Sequence, residues 1–136
     1  GIMAEGAAGE RDWTGKAPAG LRIGHVHLRV GDVEEAERFY GGAVGLATTR
    51  KLRGAAFLSS GRYHHHLGAN VWRSSGASRR PESTSGLAWV SFNVIDPAIL
   101  DDMAGRMTAL GHEVRVDDGL IEVLDPWGTA LRFVRA

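Results

Sequence analysis

The stretch LRIGHVHLRVGDVEEAERFYGGAVG, Leu21 to Gly45, changes its hydrophobic period midway and so specifies a strand followed by a helix. In the first half Val26, Leu28 and Val30 fall on one face, and His25, His27 and Arg29 fall on the other. In the second half Asp32 stands where a helix cap is needed, with Glu35 three residues on. Val33, Ala36, Phe39, Tyr40 and Ala43 then recur at helical spacing, and Gly41, Gly42 and Gly45 are expected to stop the helix. An apolar strand face covered by its own helix leaves two histidines and an arginine together on the opposite face.

Further along, strands are expected at Leu46 to Leu52, Ala55 to Ser60 and Tyr63 to Trp72. A polar segment, residues 73–86, has no apolar periodicity and reads as a linker. The order then repeats. LAWVSFNV alternates, DPAILDDMAGRMTAL opens on Asp-Pro and is stopped by Gly111, and strands are expected at Glu113 to Val116, Leu120 to Leu124 and Thr129 to Val134. The fold class is therefore α+β: two tandem βαβββ modules, residues 21–72 and 87–136, each about 50 residues long. Residues 1–20, rich in Gly and Ala, read as a mobile N-terminal tail. If the two uncovered sheet faces meet, they enclose a shared pocket containing His25, His27 and Arg29. The plainer alternative is two adjacent units with exposed polar faces.

Composition narrows the function. Sixteen Lys and Arg balance sixteen Asp and Glu over 136 residues, so no single-sign field attracts nucleic acid or an anionic membrane. There is no cysteine, which removes thiolate ligands, thiol nucleophiles and disulfides. No apolar run approaches the ~20 residues of a membrane span, and the first residues lack the pattern of a signal peptide, so a cytoplasmic location is expected.

Half of the six histidines stand in RYHHHLGANVW, at 64, 65 and 66. If this stretch is a strand, His64 and His66 share a face with His25 and His27, and His65 points away. His65 is then expected to be satisfied by hydrogen bonds, and His112 to lie in an exposed loop after the second helix.

IGHVHLRVGDVEEAERFYGGAVGL resembles the opening motif of the vicinal oxygen chelate superfamily, which includes glyoxalases, bleomycin-resistance proteins and extradiol dioxygenases. YHHHLGANVW is similar to a segment of its catechol 2,3-dioxygenase-like branch, and LDPWGTALRFV resembles its closing strand. The resemblance implies metal ligands on the first and last strands of each module. His25 and His66 occupy two of those places; Trp89 and Arg132 occupy the others, and neither is a usable ligand.

Two readings follow. In the first, the protein binds a planar aromatic small molecule, sequestering it or acting on it with His25 and His66 as acid and base. Trp72, Trp89 and Tyr63 would form an aromatic slot, with His27, Arg29, His64, Asn70 and Arg132 facing the guest. In the second, it is a metal-dependent dioxygenase or lyase whose iron, zinc or manganese sits on His25 and His66, completed by Glu122 or His64. No cofactor is required by the first reading and a divalent metal by the second. The resemblance also implies a homodimer.

Overall fold

The computed structural model describes residues 19–136, so nearly all of the expected tail lies outside the described residues. In the first module β1 is Val26–Arg29, β2 Ala47–Leu52, β3 Ala55–Ser59 and β4 Leu67–Asn70. Helix α1 begins with an α-helical turn, Val33–Ala36, in which Asp32 Oδ1 accepts from the Glu35 N–H at 2.7 Å. It continues with the wider π hydrogen bonding over Glu37–Ala43, where the Val44 N–H reaches back to the Phe39 carbonyl at 2.9 Å. Gly41 and Gly42 therefore lie inside the helix rather than ending it. Gly45, with φ +100°, follows its last turn.

The second module repeats the plan with β5 Val90–Val94, α2 Pro97–Ala109, β6 Val114–Asp117, β7 Leu120–Leu124 and β8 Ala130–Arg135. Asp96 caps α2, its Oδ1 accepting from the Ala98 N–H at 2.9 Å, and Pro97 takes the first-turn place where no N–H is missed. The sheets have equivalent orders, β1-β4-β3-β2 and β5-β8-β7-β6, with the first strand parallel to its neighbour in each. The expected duplication is thus a duplication of topology.

The modules join differently from the expectation that their uncovered faces meet. Leu28, Val30, Leu58 and Leu67 of the first sheet form one buried cluster with Phe39, Tyr40, Met103 and Met107 of the helices and with Ile121, Val123, Leu131 and Phe133 of the second sheet. The helix-bearing sides make the seam, while His25, His27 and Arg29 are exposed on the opposite side. The physical reason is desolvation: the helix-bearing faces hold the apolar alternates, whereas burying histidines and arginines against one another would strip water from polar and charged groups.

Polar groups at the seam bond across it. The buried Tyr40 hydroxyl donates to Asp125 Oδ2 at 2.6 Å, and Asp125 Oδ1 accepts from the N–H groups of Trp127 and Thr129. From α2, Arg106 donates to the carbonyls of Ala43 and Val44 at 2.9 and 2.8 Å, closing the C-terminal end of α1. The segment 73–86 is tied to both modules. The Gly76 N–H donates to Gly31 O and the Arg80 N–H to Trp127 O. His112 lies in the loop after α2, as expected, but is half-buried rather than exposed, its ring edge-on to Phe39 at 5.1 Å. Among the described residues no helix is long and apolar enough to cross a membrane.

Candidate functional site

The histidine run is not a strand. Ladder pairing in β4 begins at Leu67, and residues 61–66 form turns and bends, so two-residue alternation does not reach back through them. As a result His65 and His66 exchange their expected places. His65 turns to the uncovered face of the first sheet and His66 leaves it.

On that face His65 is a hub. Its Nε2 lies 3.1 Å from Nε2 of His27, its Nδ1 lies 2.8 Å from Nδ1 of His64, and its ring centroid is 4.3 Å from that of His25. One ligand-capable nitrogen from each of His25, His64 and His65 falls within 4.8 Å of the others. Phe57 presents an edge to both His27 and His65. Gly68, opposite His27 in the ladder, leaves room for that ring: a Cβ there would lie 2.8 Å from His27 Cδ2. Burial lowers the pKa of His65, assisted by the neighbouring positive charge of His25, His64, His27 and His66 in their protonated forms. The hub is thereby biased to the neutral imidazole that can accept a proton or a cation.

His66 belongs to another place. Its Nδ1 accepts from the Ser60 N–H at 3.2 Å and lies 3.2 Å from the Ser59 hydroxyl, while Tyr63 stacks on its ring at 4.6 Å. With Ser60 it lines a cavity of about 460 Å³ between the modules. Tyr40, Val44 and Leu46 supply the rest of the first module's wall, and Phe92, Val94, Asp96, Ile99, Met103 and Phe133 the second's. Burial raises the Tyr40 hydroxyl well above its usual pKa, and the Asp125 carboxylate adds to the shift by charge and hydrogen bond. The phenol is thus a fixed neutral donor in the cavity wall. The pocket shared by the modules lies on the helix-bearing side, so His25 and His66 are not brought together.

The uncovered face of the second sheet is built from opposite charges. Glu122 faces Arg132 across the β7–β8 ladder and Arg115 across β6–β7. Its carboxylate accepts from Arg132 Nε at 2.6 Å and from Arg115 at 3.1 Å. Trp89 covers the Arg132 guanidinium at 4.5 Å. Trp72 is separately engaged: its Nε1–H donates to the Arg53 carbonyl, and its ring lies over Gly54. The expected aromatic slot is not assembled, since Tyr63 stacks on His64 and His66 while each tryptophan packs elsewhere. Arg29 and Asn70 are register partners on the first sheet's uncovered face.

The cavity residues Tyr40, Phe92 and Phe133 were not anticipated, because each looks like an ordinary core aromatic in its own element. The available signal was the conjunction of FY at 39–40 with DPWG at 125–128, which the seam joins.

Residues 22–133 match the model of the Glyoxalase/Bleomycin resistance protein/Dioxygenase superfamily. The chain belongs to this superfamily. It is 35% identical over 106 residues to the catechol-2,3-dioxygenase of Bacillus subtilis (strain 168), a match covering 76% of this chain and spanning 37% of that relative's length. The lactoylglutathione lyase of Agrobacterium tumefaciens superposes with a TM-score of 0.63 at 23% identity, covering 89% of this chain and 96% of that one. A glyoxalase/bleomycin resistance protein/dioxygenase from Nocardioides superposes at 0.59 and 17% identity, covering 88% and 85%. These two likenesses are likenesses of fold.

Superfamily members typically bind a divalent metal, and the four strand positions expected to hold it can be tested on this chain. His25 suits such a role, but His66 turns away to Ser59 and Ser60, Trp89 offers no lone pair, and Arg132 holds a positive charge already bound to Glu122. The four-strand ligand set does not fit. Glu122 is likewise engaged by two guanidinium groups.

Proposed function

We propose that this superfamily member binds a small planar molecule with an apolar body and a polar edge in the cavity between its modules. The observation that carries this reading is the cavity itself. Its volume of about 460 Å³ lies in the usual range for small-molecule sites, and its wall combines three aromatic rings with a few polar groups. His66 is the proton-exchanging group. The Ser60 N–H makes its Nδ1 an acceptor, which leaves the proton of the neutral ring on Nε2. The protein can hold its guest, or exchange a proton with the guest's polar edge at that nitrogen.

Calorimetric titration with 2-naphthol and catechol tests the reading. Ile99→Arg, at a half-exposed position on the cavity rim, is expected to weaken binding by about tenfold or more while the fold persists. His66→Gln should keep most of the affinity and lose proton exchange. Unchanged binding in Ile99→Arg, or loss in Trp89→Ala instead, would overturn it.

The identity to a catechol-2,3-dioxygenase favours a second reading, metal-dependent ring cleavage. Such oxygenases use two histidines and a carboxylate, and here the carboxylate available, Glu122, is neutralised by arginines. Oxygen consumption with catechol after ferrous loading, abolished by Glu122→Gln, would support it. Absence of consumption in protein that still binds catechol would remove it.

We also propose a homodimer. β1 and β5 each end their sheet with an open edge, and Leu21, Ile23, Leu87, Trp89 and Ile95 stand exposed beside them. Size-exclusion with light scattering should give twice the chain mass; a monomer at tens of micromolar counts against it.

A further inference from the structure

We propose that the guest of the cavity between the modules is an aromatic cation, a flat ring system whose quaternary nitrogen or protonated amine is held at Asp96. The inference rests on the cavity reading above and adds to it the sign of charge on the guest's polar edge.

The wall is charged in one sense. Among the described residues Asp96 is the one carboxylate that lines it, and no lysine or arginine does. Asp96 Oδ1 accepts from the Ala98 N–H at the start of α2, and no ammonium or guanidinium among the described residues pairs with the carboxylate. Arg106 stands against Gly45, but its guanidinium is committed to the carbonyls of Ala43 and Val44.

A second carboxylate adds to the field. Asp125 lies buried behind Tyr40, bonded to its hydroxyl and to two backbone N–H groups, and it makes no ion pair among the described residues. Its charge reaches the wall: after burial, it is the next cause that raises the Tyr40 hydroxyl above its usual pKa. An anionic guest would meet two carboxylates and find no free cation to offset its lost hydration. A cationic guest is attracted by both.

The aromatic part of the wall favours the same sign. Phe92 and Phe133 are register partners on β5 and β8, stacked at 5.5 Å with planes 16° apart, and Tyr40 adds a third ring. Aromatic faces carry negative potential and attract organic cations. Tyr40, bonded to a carboxylate, is polarised toward still greater electron density.

Body and charge also have separate places. Tyr40, Met103 and Phe133 are buried, whereas Asp96 and Ile99 are exposed at the mouth. The ring system enters the buried part, and the charged nitrogen stays beside Asp96, still partly hydrated. A partly exposed ion pair with one ring contact corresponds to a preference of about tenfold.

The test titrates the full chain calorimetrically with three bicyclic probes of similar shape: N-methylquinolinium, 2-naphthol and 2-naphthoate. At about pH 7 these are a cation, a neutral phenol and an anion. The cation should bind about tenfold more tightly than 2-naphthol, and 2-naphthoate about tenfold less tightly. Asp96→Asn and Asp96→Ser each keep a capping oxygen for α2, and each should bring the cation to within about threefold of 2-naphthol. Asp101→Asn removes an exposed carboxylate of α2 outside the cavity and should retain the whole preference. Equal binding of the cation and 2-naphthol, a preference that survives both Asp96 variants, or its loss in Asp101→Asn would overturn the inference and leave the cavity reading standing. Failure of all three probes to bind would overturn both.

Discussion

The seam between the modules and the uncovered face of the first sheet both gather polar side chains, and they treat them in opposite ways. At the seam polar groups are answered across the modules: Tyr40 by Asp125, and the carbonyls of Ala43 and Val44 by Arg106. On the uncovered face the histidines answer mainly one another. A bond answered across a seam fixes two bodies together, whereas imidazoles bonded to one another tie down only their own face. Stability should therefore reside at the seam rather than on the uncovered faces. The comparison breaks if substitutions on the uncovered faces unfold the protein as readily as those at the seam.

The largest effect is expected at Gly31. A Cβ there would collide with the Ala77 carbonyl and come within 2.5 Å of Trp127 Nε1, and neither can move without opening the joint. Gly31→Ala should cost about 3 kcal/mol or more in urea unfolding. Next is Arg106→Ala, which removes two charge-assisted bonds from the end of α1; a loss of about 1.5–3 kcal/mol is expected. Arg106→Lys should restore only part of it, because one ammonium cannot reproduce the guanidinium fork.

Tyr40→Phe should cost about 1 kcal/mol, since Asp125 keeps its two backbone donors. It also has a pH signature. The folded state raises the Tyr40 pKa, so its contribution is complete below the unfolded value near 10 and is lost as pH rises through the folded value. Thermal unfolding scans above about pH 10 should fall more steeply for the parent than for Tyr40→Phe. A parallel fall would remove the phenol from the seam's energetics.

The smallest effect belongs to the second sheet's uncovered face. Arg132→Ala leaves Glu122 with Arg115 and should cost less than about 1 kcal/mol, because the pair is partly exposed. A larger loss would place stability where the comparison assigns none.

Much of this architecture was legible in the chain. Period-two and period-3.6 patterns, with Asp32 and Asp96 as caps, locate the strands and both helices to within a few residues. The histidine run departs from the alternating pattern because alternation holds only while a chain stays in its ladder, and the ladder starts at Leu67. His65 accordingly joins the cluster that His66 was expected to join. The cavity was illegible for another reason. Tyr40 and Asp125 stand 85 residues apart, and nothing local to either states that they meet. Nor does local pattern say which faces of two modules will adhere, a choice settled by the desolvation of whole surfaces.

The π turns of α1 carry a consequence for how such a chain can vary. A π turn holds one more residue per hydrogen-bonded ring than an α turn, so α1 contains slack that a regular helix would lack. Deleting Gly42, whose Cβ position faces open space, would let the helix tighten to 3.6 residues per turn. An α turn closes with one residue fewer, so the residues on either side of the deletion would keep their relative facing, and Tyr40 and Val44 would still line the cavity. One codon lost in this helix would thus be absorbed within it, leaving both sheets and the binding space in place.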